Sequence, residues 1–417
     1  DVIVVGSGPA GVSATFPLVQ AGLRVAMADG GKQAAERPPE ENFLLARAHD
    51  PEQWKWMVGK DFHALGNSGV ASPKLKVASQ AYVFKDFARD NKIIEEEFIA
   101  VGSLAKGGLS NAWGCGVAQL SADELAELPF SASEMRSAYS RVSQRIGVSG
   151  NNDDDMSDYF GRDEFLQSPI MLDELHASLL CQYEKRRLKL HDRGFRLGHS
   201  RLAVLSEDIS DRRACNLSGN CLFGCSRGSM YSAVHDLSSL RKHENFTELS
   251  GFLVEGLNPD NDVWEVSGKS VKNGKRKSFK AKKVVLAAGT LATTRLVLNT
   301  LKHRQSMPML SSPTAAFLLW LPGSLGTMRS PGFGLGQLSF SLSLSNQVSA
   351  FGSTFSMTGI LMSEFARYIP IRRRYGVDLL RGLMSSCVVG NLFLPGHLTK
   401  AKVSLKGDGS LIVSGAY

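Results

Sequence analysis

Val2-Ile3-Val4-Val5-Gly6-Ser7-Gly8-Pro9-Ala10-Gly11 is the stretch on which the reading of this chain turns. Four consecutive apolar residues, three of them valine, end on glycine, which is how a strand buried on both faces of a parallel sheet reads. The pattern then turns helical from about Gly11 to Ala21 and stops at Gly22. A second apolar run, Leu23 to Ala28, ends in Asp29, 18 residues beyond Gly11. The three glycines have separate tasks: Gly6 permits the tight turn, Gly8 lets backbone approach a pyrophosphate, and Gly11 lets the helix pack closely on the strand. The positive end of the helix faces the diphosphate, and an acid placed like Asp29 accepts hydrogen bonds from ribose hydroxyls. The unit therefore predicts a dinucleotide site of Gly6, Ser7, Gly8, Pro9, Ala10, Gly11, Asp29 and Gly30. A structural glycine turn is the competing reading.

Outward from this unit the pattern is uneven. Residues 32 to 100 mix polar and aromatic residues with Pro38, Pro39, Pro51 and Pro73, and read as a long excursion with short helices. The acidic tract Asn151 to Asp158 reads as a solvated linker. Leu172 to Leu190 has helical spacing with a basic end. Residues 246 to 289 return to strand patterns and finish in Val284-Val285-Leu286-Ala287-Ala288-Gly289, a second buried strand running into a glycine turn. From Phe333 to Phe355, Phe340, Leu342 and Leu344 alternate with Ser339, Ser341 and Ser343, the period of antiparallel strands. The expected fold is α/β (α+β overall). A doubly wound nucleotide domain occupies 1–300, interrupted by insertions at about 32–100 and 121–210. A second, substrate domain with an antiparallel sheet occupies 301–417.

Composition narrows the function. With 417 residues and 43% hydrophobic content the chain can bury a sizeable core. The net charge of +8 is local: Lys269, Lys272, Lys275, Arg276, Lys277, Lys280, Lys282 and Lys283 contain no acid among them, leaving 40 basic residues against 40 acidic. Asn273-Gly274 within that run is a hairpin signal, so the charge reads as the solvated face of a two-stranded arm and no nucleic-acid partner is expected. No apolar run approaches the roughly 20 residues of a membrane span; Ala315 to Leu321 is short and lies between Pro313 and Pro322. Six cysteines in a chain of this length do not make a disulfide scaffold, which points to a reducing compartment, read here as cytoplasmic.

Two further motifs refine the cofactor. Gly107-Gly108-Leu109-Ser110-Asn111-Ala112-Trp113-Gly114, with the Ala287-Ala288-Gly289 turn, resembles the glucose-methanol-choline (GMC) oxidoreductases, a family of FAD-dependent alcohol oxidases and dehydrogenases. The stretch through Trp113 and Cys115 is most similar to the pyranose-oxidase branch. The resemblance implies FAD as the dinucleotide. It adds Gly107, Gly108, Ser110, Asn111, Ala112, Trp113, Gly114, Val254, Ala287, Ala288 and Gly289 to the expected cofactor-binding set, with Ser110 to Gly114 along the isoalloxazine ring. Trp113 reads alternatively as a plain core aromatic. Branch members often attach flavin through a histidine here; this chain has Ala112, so the flavin is expected to be non-covalent.

Cys215, Cys221 and Cys225 lie on a glycine-containing loop and offer soft ligands. Their spacing is similar to that of family sugar dehydrogenases with a [3Fe-4S] cluster, but free thiols in a packed turn are the favoured reading. His63, His176, His191, His199, His235, His243 and His303 show no zinc-type spacing and read as surface or satisfied core residues.

The resemblance implies removal of hydride from the alcohol carbon of a sugar or polyol to flavin N5, with oxygen, a quinone or a cytochrome as electron acceptor. It also implies a late catalytic histidine, paired with a second histidine or an asparagine. The only late histidine is His397, in Leu394-Pro395-Gly396-His397, whose context reads as a turn. The expectation is that the biological chain continues and that the base lies beyond Tyr417. A catalytically incomplete FAD-binding module and a flavin amine oxidase or hydroxylase are the alternatives.

Overall fold

The strand Val2–Val5, β1, is buried at all four positions in the computed structural model, which describes residues 1–62, 64, 72–126, 128–327, 332–345, 348–357, 370 and 372–415. It sits inside a four-stranded, all-parallel sheet with the order Lys283–Leu286, β1, β2 (Val25–Asp29), Phe246–Ser250. The register Val5↔Leu286 brings the turn after each strand to one edge, where Gly6 N–H donates to Ala28 O at 2.8 Å and Ala287 N–H donates to Val5 O at 2.7 Å. Helix α1 starts earlier than its hydrophobic pattern suggests, at Pro9, and runs to Gln20; the first helical turn tolerates Pro9 because an N–H there would have no intrahelical acceptor, so the one proline lacks is not missed.

Both faces of the parallel sheet are covered, which is why its strands read as continuous apolar runs. On one face Val2, Val4 and Met27 pack with Val12 and Val19 of α1, Leu237 and Leu240 of the helix Ala233–Leu240, and Tyr231. On the other, Ile3, Val5 and Ala28 meet Phe252, Val254 and Val266 of a three-stranded antiparallel sheet and Leu296 of the helix Thr290–Thr300. That antiparallel sheet holds the basic run: Val263–Ser270 turns through Asn273-Gly274 into Arg276–Ala281, with Gly274 at φ +68° and its N–H on Ser270 O at 2.9 Å. The arm thus has a third strand, Phe252–Asp260, behind it.

The second unit is built on a five-stranded antiparallel sheet ordered Thr314–Trp320, Cys387–Phe393, Val348–Ser356, Leu338–Ser345, Phe195–His199. Leu338 and Phe340 enter the core, as the period-two pattern suggests, but Ser339 is buried too and meets the hydroxyls of Ser200 at 2.7 Å and Ser353 at 3.0 Å. The apolar stretch from Ala315 is an edge strand of this sheet. Among the described residues no helix is long and apolar enough to cross a membrane.

Two readings of local structure are corrected, and strand pairing bridges the expected boundary. The division at residue 300 is crossed in both directions: Phe195–His199 completes the five-stranded sheet, and Leu411–Ser414 pairs in parallel with Ile93–Glu96. Strand edges are satisfied by whichever segment supplies the free ladder groups, so adjacency in sequence does not delimit the units. The acidic tract from Asn151 is not a solvated linker. Asp154 accepts from His199 N–H at 2.7 Å, and Asp155 accepts from the Tyr183 hydroxyl at 2.5 Å and Arg187 Nε at 2.9 Å, with His191 Nε2 at 2.7 Å. The charge is held inside because the basic end of the next helical region is folded onto it. That region is itself two helices, Glu174–Glu184 and Arg187–His191, the first capped by Asp173. His63 and Tyr417 lie outside the described residues.

Candidate dinucleotide cleft

At the carboxyl edge of the parallel sheet the turns open into a cleft of about 620 Å³, within the size of small-molecule sites. Gly6, Ser7, Gly8, Pro9, Ala10, Asp29, Gly30, Gly108, Val254, Ala287, Ala288 and Gly289 all line it. The glycines are there for close approach. A side chain on Gly6, which has φ +109°, would meet Ala287 C at 2.5 Å and Ala288 Cα at 2.9 Å. On Gly11, behind the cleft, it would run into the Gly6 carbonyl, and on Gly30 it would meet Leu104 O at 2.5 Å. Gly8 differs, since a Cβ there has no neighbour nearer than Gly107 O at 4.0 Å. Its bareness leaves backbone open to whatever enters the cleft.

Two helices begin at this cleft, α1 after Gly8 and Thr290–Thr300 after Gly289. Neither has a side-chain cap or an acid in its first turn, so both present uncommitted N–H groups and positive dipole ends. An anion in the cleft satisfies them. At the far end stands Asp29, 7% exposed, with both carboxylate oxygens buried and without a hydrogen-bond partner among the described residues. Burial pushes its carboxyl above the ordinary value. The Ser7 hydroxyl, Lys106 and the Gly31 amide soften that shift, and Glu248 adds to it. The Ser7 and Gly31 groups are near, but neither is placed to donate a hydrogen bond to the carboxylate. Two orphaned acceptors at the end of β2 fit a vicinal diol, and uncapped helix starts fit a diphosphate; the residues present fit a dinucleotide.

The Gly-Gly segment reaches the cleft only at Gly108 and Leu109. Gly107, Ser110, Asn111, Ala112, Trp113 and Gly114 do not line it. Gly107 N–H donates to Ser7 Oγ at 3.1 Å, and Ser110 Oγ donates to Gly107 O at 2.5 Å while accepting from Ala233 N–H at 3.0 Å. Asn111 Nδ2 donates to the carbonyls of Lys106 and Gly108, both at 2.8 Å, and its Oδ1 accepts from Ser232 Oγ at 2.9 Å. Trp113 Nε1 donates to Tyr231 O at 2.8 Å, and the two rings meet edge to face at 6.2 Å. The segment is thus fastened to the start of the helix Ala233–Leu240. Lys106 pairs with Glu248, which also holds Arg241 at 2.7 Å.

Some lining residues carry no sequence signal. Phe87, Asn91 and Leu104 come from the long excursion and its end, whose short helices have no legible period. Thr290 and Leu291 open the helix that follows the Gly289 turn.

The cysteines form a packed turn. All six are free, and no group of three or more His, Cys, Asp or Glu among the described residues is arranged to hold a metal ion. Burial pushes the Cys115 thiol up to about 12 and raises Cys215 and Cys221 as well, so in the metal-free protein these groups are thiols. His397 is exposed on the turn Gly396–Leu398, and no described histidine lines the cleft. His176 is fully buried with Nδ1 2.7 Å from Asp173, so it is a core histidine with one partner.

Residues 1–104 match the sequence profile of the family described as Pyridine nucleotide-disulphide oxidoreductase. No curated protein matches the chain. Among solved structures, a flavoprotein/dehydrogenase from Cytophaga hutchinsonii is similar at 10% identity with a TM-score of 0.29, over 95% of this chain and 55% of that one. The chain spans little more than half the length of that protein, and at this TM-score the likeness has no bearing on fold or activity. The family match over the N-terminal unit, joined to the cleft, supports an FAD-binding oxidoreductase of mixed α/β fold.

Proposed function

We propose that this chain is an FAD-dependent oxidoreductase acting on the alcohol carbon of a sugar or polyol. The observation that carries the cofactor half of this reading is Asp29, whose two buried carboxylate oxygens have no partner among the described residues at the end of β2. Gly6, Ser7 and Gly8 with the start of α1, and Gly289 with the start of the second helix, would hold the diphosphate. Asp29 would accept hydrogen bonds from the adenosine ribose. When bound, FAD supplies an acceptor for hydride. Ala112 has no nucleophilic side chain and does not line the cleft, so the flavin would be held without a covalent bond to it. The alcohol half rests on the resemblance of the Gly107–Gly114 segment alone, and no described residue is assigned as the base.

Anaerobic mixing of the purified protein with a panel of sugars, polyols and simple alcohols tests this reading. Bleaching of the flavin by at least one of them supports it; bleaching by none, with FAD bound, overturns it. The family match of residues 1–104 favours a second reading, in which a pyridine nucleotide reduces the flavin. NADH and NADPH in the same anaerobic assay separate the two. An electron acceptor is sought afterwards among oxygen, quinones and cytochromes.

A further inference from the structure

Further along the helix Thr290–Thr300, beyond its start at the dinucleotide cleft, lies a second, polar cavity of about 690 Å³. The helix supplies both. Leu291, Ala292 and Leu296 face the cleft, whereas Arg295 and Asn299, four residues apart on one face, line the cavity. Arg295 is 4% exposed. Its Nε is buried without a hydrogen-bond partner among the described residues, and no ion pair within reach of its guanidinium occurs among them.

The nearest acid does not answer it. Glu255 sits at a bulge in the strand Phe252–Asp260 and faces the same cavity, but its carboxylate is taken by Lys269 at 2.9 Å and Arg276 at 3.7 Å. The Asp408 carboxylate accepts from Ser410 N–H and Oγ, both at 3.0 Å, and the Asp90 carboxylate accepts from Arg89 Nε at 2.8 Å. Lys92 and Lys277 stand exposed at the rim, and Glu265 of the strand Val263–Ser270 sets one further carboxylate in the lining against them. A buried guanidinium that lacks an acceptor is unfavourable in the free protein, and burial acts against its charge, with only Glu255 opposing that effect. Its planar fork matches the oxygens of a carboxylate or a phosphoryl group. The cavity wall is otherwise fixed: Asn299 Nδ2 donates to Arg295 O at 3.0 Å and Gly409 O at 3.3 Å, which ties the helix to the hairpin at Asp408.

We infer that this cavity is a binding site for a small oxyanion, the carboxylate or phosphoryl group of a ligand, with Arg295 as its floor. The site is separate from the dinucleotide cleft and does not depend on the reaction proposed for it.

Calorimetric titration of the purified protein with inorganic phosphate and, separately, with malonate at low ionic strength tests the inference. Saturable one-to-one binding of at least one probe is expected, and the tighter of the two identifies the phosphoryl or the carboxylate as the preferred group. Arg295→Met should weaken that binding about tenfold or more, and exposed Lys92→Met a few-fold with a shallower salt dependence. The ligand-free melting temperature of Arg295→Met should equal or exceed that of the parent, because an unpaired buried charge has been removed. Three results would each overturn the inference: no saturable binding of either probe at millimolar concentration, binding unchanged in both variants, or an Arg295→Met protein that is markedly less stable, which would make the arginine structural.

Discussion

The amide of Gly107 donates a 3.1 Å hydrogen bond to the hydroxyl of Ser7, joining two glycine motifs that are 100 residues apart. Ser7 is 2% exposed, so water does not compete for the bond. It fixes the second motif against the turn that follows β1, and through Ser110 and Asn111 the restraint passes to the helix Ala233–Leu240. The dinucleotide cleft is therefore walled by a contact that neither motif encodes alone.

The glycines of the first motif should separate by phenotype. Gly8→Val should fold with a melting temperature close to the parent, since its Cβ finds open space, yet lose FAD. Gly11→Val should destabilise the fold itself, because its side chain meets the Gly6 carbonyl, at a cost typical of overpacking, about 1–3 kcal/mol. Thermal unfolding and flavin content of the two purified variants check this. A Gly8→Val protein with full flavin would show that nothing passes that backbone.

Asp29 carries an opposite effect on stability and on binding. Burial raises its folded-state value above the unfolded one, so the stability it contributes is present at low pH and lost as pH rises through the folded value. Flavin-free Asp29→Asn should accordingly melt higher than the parent at neutral pH and match it below about pH 4, near the ordinary carboxyl value. Its FAD affinity should fall by about 1–3 kcal/mol, the scale of a charged hydrogen bond. Melting curves against pH, with and without FAD, read both signs.

Asp155 behaves in the reverse sense. Burial works against its charge, but hydrogen bonds from Arg187, Tyr183 and His191 outweigh it and hold the carboxyl below the ordinary range. That stability is present above the unfolded value and lost as pH falls through the folded one. Asp155→Asn should cost about 1–3 kcal/mol at pH 7, and the difference from the parent should shrink below about pH 4. Urea unfolding at the two pH values checks the sign.

Among the thiols, exposed Cys181 should alkylate first in the native protein and buried Cys115 last. Mass spectrometry of a timed iodoacetamide reaction reads the order. Cys221→Ser should leave flavin content unchanged, with iron and sulfide absent from parent and variant alike; stoichiometric iron lost in the variant would restore a cluster to this loop.

What the linear order determined by itself is local. Val2 to Gly11, the acid at Asp29 and the run into Gly289 each combine a period, a turn requirement and a charge within a few residues, and their meaning survives without knowing what packs on them. Ten of the cleft residues, Gly6 to Ala10, Asp29, Gly30 and Ala287 to Gly289, lie in these stretches, because parallel strands bring their following turns to one edge. Only the tertiary structure decided the rest. Ser110, Asn111 and Trp113 hydrogen-bond to residues 231–233, and an Asn or a Trp carries no mark of which backbone it will meet. The acidic tract looked solvated because its partners Tyr183, Arg187, His191 and His199 come later in the chain. Arg295 is an ordinary helix residue in the sequence. It becomes a buried, unanswered charge only when a bulged strand and a distant hairpin close around it, since burial is a property of the assembled surfaces and not of the residue.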